Sequence, residues 1–277
     1  PLAEERNDGD NAAEAEMSVA EQKLNVLLVS GGGGWEFQYL RDYMLRQPEL
    51  YRLSVWQQNA DKDINQMASA GMKLDRLPRT LPELLGTPGD PEKPGYDVVI
   101  LMDPQYTEGG FDPEFVEKLL VPFVETHGDG LCFQAGRKFA ERVLLGGDTF
   151  RALRDLLPVR IAANRMELLQ DYQGPETASV ARLTGYGVDH PATRLATSSD
   201  DSREAWRVMP GLFWSHPVQE VKPAARVLLE SAGQHTANNR RRPLLAAQPF
   251  GQGRVLYLGF DESWRWRYVR DGYYHRR

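Results

Sequence analysis

The sequence has 277 residues, of which 41% are hydrophobic and 26% are charged, with 33 Lys and Arg against 39 Asp and Glu. This composition is typical of a globular protein, and it excludes a wholly disordered chain, a collagen and a coiled coil. The formal net charge is −6, and the single cysteine, Cys132, excludes an internal disulfide framework and a multi-cysteine metal site.

Residues 1–22 hold seven acids and one base, Arg6, and therefore account for the whole net charge. They are rich in Ala, Glu, Asp and Asn and have no aromatic residue, which is typical of a disordered chain. We therefore predict a disordered acidic linker at 1–22 and one domain at 23–277. The neutral remainder argues against a general binder of nucleic acid.

The domain begins with alternating strand and helix patterns. Leu24–Ser30 is a continuous apolar run, typical of a strand buried on both faces of a parallel sheet. A helical pattern over Trp35–Leu45 ends before Pro48, and 51–58 is predicted as the second strand. The apolar face of the predicted helix consists of Trp35, Tyr39, Leu40, Tyr43 and Met44.

The same alternation continues after a polar, proline-rich loop at 59–95. Asp112 and Pro113 are typical N-cap and N1 residues, so a helix is expected from there to about residue 126. The other elements predicted here are a helical turn at 81–85, strands at 96–102 and 131–133, and a helix at 137–145.

This β-α alternation predicts an α/β fold with a doubly wound, mainly parallel sheet. The strands at 24–30, 96–102 and 131–133 are expected to be neighbours whose carboxyl ends form one edge. The second half has weaker helical signal and a glycine hairpin turn at 251–253, which predicts a β-richer C-terminal half. The strands predicted there are 166–170, 179–184, 225–230, 244–249 and 254–260.

A glycine loop lies at the first strand-to-helix junction. A phosphate loop ends in Lys followed by Ser or Thr, whereas here Trp35 and Glu36 follow the glycines. Glu36 also brings a negative charge to the first helical turn, which disfavours a nucleotide. A tight turn that lets the helix pack on the strand is the simpler interpretation. The loop candidates are Gly31, Gly32, Gly33, Gly34 and Trp35.

The segment after the strand at 131–133 has the shape of a nucleophile elbow, which turns sharply from strand to helix. The elbow position holds Gln134, whose amide is not a nucleophile. Cys132 lies two residues earlier within the strand, and a core thiol is the favoured interpretation because free cysteine is among the most buried residue types.

Four segments together resemble a known family: Val26–Arg41, 96–102, 128–137 and 253–267. They are similar to the glutamine amidotransferase-like domains of bacterial membrane proteins, in the class I glutamine-amidotransferase-like superfamily. The resemblance covers about residues 24–275, and its most specific part is 261–267. It implies a flavodoxin-like α/β fold and a membrane-anchored parent protein, often with a von Willebrand A-like domain in the same chain.

The resemblance also implies where catalytic residues would lie. Active members have Cys at the elbow and a His-x-Glu pair after a late strand. Here Gln134 takes the place of the cysteine, and Phe260, Asp261 and Glu262 follow the late strand without a histidine. His190 and His216 lie elsewhere, so the chain is expected to be catalytically inactive.

An enzyme of another kind remains an alternative. A divergent hydrolase or amidotransferase could use carboxylates in place of the Cys-His pair, and Asp103, Asp261 and Glu262 are the candidates. The residues expected to form a common cleft around the elbow are Gln134, Gly136, Arg137, Asp103, Asp261 and Glu262.

Aromatic residues and arginines alternate near the C-terminus, in 264–268. This pattern suits stacking on bases, a protein interface, or a helix with one aromatic face packed on the sheet. The candidate interface residues are Trp264, Arg265, Trp266 and Arg267. A second arginine cluster, at 240–242, is predicted as a solvated loop.

We therefore expect an inactive binding or interaction module of a larger membrane-anchored bacterial protein, with no catalytic residue, cofactor or metal. Its partners would be other domains of the parent chain or a separate protein, and a small-molecule ligand is an open alternative. Nucleic acid is not expected, and membrane association would come only through the parent protein. The side of the membrane stays open, with the periplasm favoured.

Overall fold

A computed structural model describes residues 23–61, 66–90, 94–145, 147–161, 178–236 and 238–269. The predicted acidic linker at 1–22 and the predicted strand at 166–170 lie outside these residues. The described part of the chain is a mixed α/β structure with one eight-stranded sheet and one two-stranded sheet. None of its helices has the length and apolarity needed to cross a bilayer.

The elements follow the predicted order through the first half of the chain. The strands are β1 Leu24–Ser30, β2 Tyr51–Gln57, β3 Val98–Met102, β4 Gly130–Gln134, β5 Val159–Ile161, β6 Ala181–Leu183, β7 Val218–Val221, β8 Arg226–His235, β9 Arg241–Phe250 and β10 Gly253–Leu258. The helices are α1 Trp35–Leu45, α2 Leu81–Leu85, α3 over 113–125, α4 Ala140–Leu145, α5 Arg151–Leu156 and α6 Ser199–Arg207. Short 3-10 segments cover Pro191–Thr193 and Ser263–Tyr268.

The large sheet has the strand order β2-β1-β3-β4-β10-β9-β8-β6. The pairs from β2 through β10 are parallel, and those from β10 through β6 are antiparallel. The predicted adjacency of β1, β3 and β4 in one parallel sheet is therefore confirmed. The predicted hairpin is also present, since β9 and β10 are antiparallel and joined at Gly251, where φ is +57°.

The parallel strands are apolar because both of their faces are covered. Leu27 and Val29 of β1 pack on one side, in a cluster with Phe115 and Phe123 of α3. Val26 and Leu28 pack on the other side, in a cluster with α1. The alternation of β1 side chains thus divides the core into two layers around the sheet.

The inward face of α1 differs from the predicted one. Trp35, placed on the apolar face by its spacing, is 56% exposed, whereas Phe37 and Met44 are buried. Phe37 and Met44 lie seven residues apart, two helical turns, and both pack on the sheet. Trp35 lies in the first turn of α1, beyond the end of β1 at Ser30.

α3 begins where its sequence predicts. Asp112 Oδ1 accepts a hydrogen bond from the backbone N–H of Phe115 at 2.9 Å, which caps the helix, and Pro113 occupies its first position. The helix is α-helical over Pro113–Phe115, π-helical over Val116–Leu120 and α-helical again over Val121–Glu125.

The prediction of a solvated arginine loop at 240–242 is wrong for Arg242. β9 starts at Arg241, earlier than predicted, and Arg242 is buried. Its Nη1 and Nη2 donate to the carbonyl oxygens of Ser215 and His235 at 3.2 and 3.3 Å. Strand pairing turned this side chain inward, where backbone carbonyls replace water.

Candidate functional site

A cavity of about 230 Å³ opens at the carboxyl edge of the parallel strands. Ser30 of β1, Met102 of β3 and Gln134 of β4 contribute from the strand ends, and Asp261 comes from the segment after β10. In open α/β sheets this edge is where ligands bind. The whole lining is Ser30, Gly32, Gly33, Gly34, Trp35, Glu36, Phe37, Met102, Asp103, Gln134, Ala135, Arg137, Lys138, Phe139, Asp261 and Trp264.

The cavity brings together much of the predicted cleft and glycine loop. The predicted residues that line it are Gly32, Gly33, Gly34, Trp35, Asp103, Gln134, Arg137 and Asp261. Three other predicted residues, Gly31, Gly136 and Glu262, do not line it. Glu36 and Lys138 were not predicted as site residues. The one signal for Glu36 in the sequence was its place in the first turn of α1, directly after the glycine loop.

Gln134, at the elbow position, is buried and anchored by its side-chain amide. Its Nε2 donates to Glu36 Oε1 at 2.9 Å and to the carbonyl oxygen of Phe260 at 3.0 Å. Both amide hydrogens are therefore used within the protein. Only the amide oxygen of Gln134 could accept a hydrogen bond from a ligand.

The Glu36 carboxylate accepts hydrogen bonds from several residues at this edge of the sheet. Besides Gln134, its carboxylate accepts from the backbone N–H of Ser263 at 3.2 Å, from Ser263 Oγ at 2.6 Å and from the backbone N–H of Trp264 at 2.8 Å. Burial raises the pKa of Glu36, and these hydrogen bonds oppose the shift. The carboxylate thus joins α1, β4 and the segment after β10.

Asp103 holds the turn that follows Gln134. Its backbone has φ of +42°, and its carboxylate accepts from the N–H groups of Lys138, Phe139 and Ala140 at 3.1, 3.0 and 2.6 Å. Burial raises the pKa of Asp103, and these three donors oppose the shift. The carboxylate caps α4, which therefore starts at Ala140 and not at the predicted Arg137.

The two glycines next to Asp103 allow the strand ends to approach closely. A Cβ on Gly136 would lie 2.4 Å from Asp103 Cγ, and one on Gly31 would lie 2.0 Å from the Asp103 carbonyl oxygen. Both distances are far below van der Waals contact. Close packing against Asp103 is thus the reason for glycine at these two positions.

Glu262 is buried behind the cavity wall and does not line it. Its Oε2 accepts from the backbone N–H groups of Phe213 and Trp214 at 2.6 and 3.2 Å, and its Oε1 pairs with Arg137 Nη2. The Arg137 guanidinium also lies 5.4 Å from the centre of the Trp214 ring. Glu262 therefore fixes the loop before β7 and orients Arg137.

Asp261 differs from the other two acids of the lining. Its side chain is 31% exposed, and its ion-pair contact is Arg137 Nε at 3.8 Å from Oδ1. Burial raises the pKa of Asp261 to about 6, the charges of Glu262, Glu36 and Asp103 add to the rise, and Arg137 opposes it. The pKa of Asp261 therefore lies closer to neutral pH than that of an ordinary aspartate.

A thiol–imidazole pair is missing from the described lining, which contains neither cysteine nor histidine. Cys132 packs under α1, between Ile100 and Leu256 of the neighbouring strands, and burial raises its pKa to about 12. His216 is buried elsewhere, where desolvation lowers its pKa to about 4. Within the described residues, no group of three or more His, Cys, Asp or Glu side chains could hold a metal ion.

An aromatic cluster borders the cavity on its α1 side. Trp35 lies 6.2 Å from Tyr39 and 6.4 Å from Trp264, measured between ring centres. The Arg267 guanidinium lies over these rings and over Tyr268, at 4.5 to 5.9 Å from each centre. We call Trp35, Tyr39, Trp264 and Tyr268 the aromatic rim.

Trp266 does not belong to this surface, although it was predicted as an interface residue. It is buried, with its ring 5.3 Å from Trp206 and 5.4 Å from Phe260. The 3-10 segment turns alternate residues in different directions, so Trp264 faces the cavity while Trp266 enters the core. Arg265 lies over Phe213 and Trp264, at 5.1 and 4.6 Å from their ring centres.

A wider depression of about 890 Å³ lies at the opposite, amino ends of the strands. Asn25, Asp97, His127 and Asp129 are among its lining residues. Burial raises the pKa of Asp129 to about 6, and the charge of Asp97 adds to the rise. Since ligands of open α/β sheets bind at the carboxyl edge, the smaller cavity is the candidate site.

Comparison with known proteins gives structural similarity and no assignment to a family. Neither a protein-family model nor a curated protein sequence matches this chain. The solved structure of Cytoplasmic Protein STM3548 from Salmonella typhimurium is similar, with a TM-score of 0.49 and 14% sequence identity. The match covers 86% of this chain and 88% of that chain.

Proposed function

We propose that this domain is a catalytically inactive, glutamine amidotransferase-like module that binds a small molecule at the carboxyl edge of its sheet. The proposal rests on the side chain at the elbow position. Gln134 holds the position of the nucleophile, and both of its amide hydrogens are used by Glu36 and Phe260. These hydrogen bonds support a role for Gln134 as part of the cavity wall and not as a reacting group.

The strand order supports a flavodoxin-like, doubly wound arrangement. The five parallel strands follow the order β2-β1-β3-β4-β10, which corresponds to the 2-1-3-4-5 order of flavodoxin-like sheets. Apolar clusters with helices cover both faces of these strands. The strands β6 to β10, all after residue 178, support a β-richer C-terminal half.

The chemistry of acyl transfer argues for inactivity. A glutaminase forms a thioester on a thiolate, and a neighbouring base removes the thiol proton. Cys132 lies two residues before the elbow, about 6–7 Å along the strand, with its pKa raised by burial. A displacement of even about 1 Å can cost on the order of 100-fold in rate.

The cellular context follows from the resemblance alone. We propose that the parent is a membrane-anchored bacterial protein, with this domain on the periplasmic side. Other domains of that chain, or a separate protein, would contact the exposed part of the aromatic rim, because Trp, Tyr and Arg are enriched where proteins bind one another. Trp35 and Tyr268 are the most exposed residues of that rim.

Ammonia release from glutamine by the purified domain tests the proposal. We expect none from the unmutated protein, and none from Gln134→Cys, which restores a thiol without a histidine beside it. An active glutaminase run in parallel is the positive control. Steady turnover by the unmutated domain that Cys132→Ser abolishes would overturn the inactive assignment.

A carboxylate-dependent hydrolase is the second candidate, and Asp261 is the observation that favours it. With its pKa raised to about 6, Asp261 could act as a general acid or base in the cavity. Asp103 and Glu262 are less suited, because their oxygens accept backbone hydrogen bonds. Ester and amide hydrolysis that Asp261→Asn abolishes would favour this candidate over the binding module.

A further inference from the structure

The cavity has one carboxylate with free capacity for a ligand. Glu36 and Asp103 direct their oxygens to N–H and O–H donors of the protein. Asp261 has no hydrogen-bond donor of its own among the described residues, and Arg137 Nε, at 3.8 Å, is beyond hydrogen-bond distance. A bound molecule could therefore use both Asp261 oxygens.

The charges around Asp261 are mostly negative. Glu36 on α1, Asp103 at the end of β3 and the adjacent Glu262 each act on it as like charges. Arg137, in the β4–α4 turn, opposes them. Its Nη2 is paired with Glu262, and its guanidinium lies over the Trp214 ring. Lys138, the other cation of the lining, is exposed. A positive group bound at Asp261 would therefore relieve repulsion.

Two indole rings belong to the lining of the same cavity as Asp261. Trp35 and Trp264 both line the cavity, and their ring centres are 6.4 Å apart. The Arg267 guanidinium lies 5.6 and 5.9 Å from the centres of these two rings, and the Arg265 guanidinium lies 4.6 Å from the centre of the Trp264 ring, so both rings already contact cations of the protein. Cations bind indole faces through the ring quadrupole, most strongly where water is excluded.

From these contacts we infer that the cavity binds a small organic cation, an ammonium or guanidinium group, with Asp261 as its counter-charge and Trp35 and Trp264 as its aromatic wall. This inference rests on the proposed function of the cavity as a ligand site. At about 230 Å³ the cavity is smaller than the roughly 300–1,000 Å³ of sites for drug-sized ligands. It accommodates the charged end of a ligand whose remainder extends toward the mouth.

The test compares three probes of similar size and different charge: butylammonium, butanol and butyrate. Binding is followed by the NMR signals of the Trp35 and Trp264 indole N–H groups, assigned with Trp35→Phe and Trp264→Phe. We expect saturable shifts with butylammonium at pH 7.5, and affinities for butanol and butyrate at least about tenfold weaker, as expected for a charge-assisted contact.

Replacement of Asp261 tests the counter-charge. Asp261→Asn keeps the shape of the side chain and should weaken butylammonium binding about tenfold or more. Glu114→Gln, a change at an exposed acid on α3, is the matched control and should leave affinity unchanged. Lowering the pH from 7 to 5 should also weaken binding to the unmutated protein about tenfold, since Asp261 must be ionised. This pH dependence should disappear in Asp261→Asn.

The outcomes separate the two proposals. Unchanged butylammonium affinity in Asp261→Asn, or tighter binding of butyrate or butanol at the same indole groups, would overturn the cation inference and leave a binding cavity. Failure of all three probes to shift either indole signal would overturn the cation inference and count against the cavity as a ligand site. Glutamine turnover would overturn the inactive assignment independently of any probe.

Discussion

Glu36 Oε1 accepts a hydrogen bond from Gln134 Nε2 at 2.9 Å, which joins two residues 98 positions apart in the sequence. The same carboxylate accepts from Ser263 and Trp264, more than 220 positions away. One half-buried acid therefore joins the glycine loop, the elbow and the segment that carries Asp261. Glutamine cannot replace Glu36 without the loss of a hydrogen bond, because an amide has a single acceptor oxygen and a carboxylate has two.

Replacing Glu36 with Gln should therefore destabilise the domain. The new NH₂ group would face backbone and hydroxyl donors, so at least one hydrogen bond would be lost. We expect the free energy of unfolding, from urea denaturation, to fall by about 1–3 kcal/mol. Glu117→Gln, at an exposed position of the π-helical segment, should change it by less than about 0.5 kcal/mol. Equal effects of the two changes would show that the Glu36 hydrogen bonds contribute nothing.

Asp103 can be tested in two steps, because Asn tolerates positive φ better than Ala. Asp103→Asn keeps the backbone conformation but weakens the cap on residues 138–140, and it should cost about 1–2 kcal/mol of unfolding free energy. Asp103→Ala should cost more, because it also strains a left-handed backbone. An alanine variant as stable as the asparagine variant would contradict the backbone part of this account.

Gly136→Ala should destabilise the domain by forcing the elbow away from Asp103. The added Cβ would lie 2.4 Å from Asp103 Cγ, and overpacking of this kind typically costs about 1–3 kcal/mol. Gly185→Ala is the matched control, since nothing lies within 4 Å of its added Cβ. Thermal unfolding of both variants should show a lower Tm for Gly136→Ala and no drop for Gly185→Ala.

Asp261 should make stability depend on pH. Its pKa is raised from 3.8 to about 6, so the folded protein binds a proton more tightly than the unfolded chain between about pH 4 and 6. The contribution of Asp261 to the free energy of unfolding therefore falls as pH rises through that range.

Replacing Asp261 with Asn should remove this loss of stability at higher pH. The raised pKa of Asp261 corresponds to about 3 kcal/mol of unfolding free energy, at 1.36 kcal/mol per pKa unit. Solvent screening of the partly exposed side chain reduces this value. We therefore expect the free energy of unfolding of Asp261→Asn to be about 1–2 kcal/mol higher than that of the unmutated protein at pH 7.5. Below pH 4 the two proteins should be equally stable. A variant less stable at pH 7.5 would indicate that Arg137 outweighs burial.

Tyr257→Phe should be neutral or stabilising by about 1 kcal/mol. The Tyr257 hydroxyl is buried and has no hydrogen-bond partner among the described residues, and an unsatisfied buried polar group is costly. The ring, stacked on Phe133 at 6.4 Å between centres, keeps its packing in the variant. Urea denaturation checks this, and a loss above about 1 kcal/mol would show that the hydroxyl is stabilised in the folded protein.

The sequence by itself determined the elements whose signals are local. The apolar runs of β1 and β3 can bury the side chains on both faces of each strand only if the sheet is covered on both sides. A parallel sheet between two layers was therefore the expected arrangement. Asp112 and Pro113 marked the start of α3, because a cap acts within a single turn. The glycine loop and the elbow followed strands with parallel neighbours, so their meeting at one edge was also predictable.

Only the tertiary structure decided which side chains act on one another at that edge. The contacts of Glu36 with Gln134 and Ser263 span 98 and 227 positions, so no local pattern contains them. Trp35 was exposed and Arg242 buried, against their patterns, because the sheet ends before Trp35 and β9 begins before Arg242. Periodicity describes the faces of a single element, whereas strand order and register decide what covers each face.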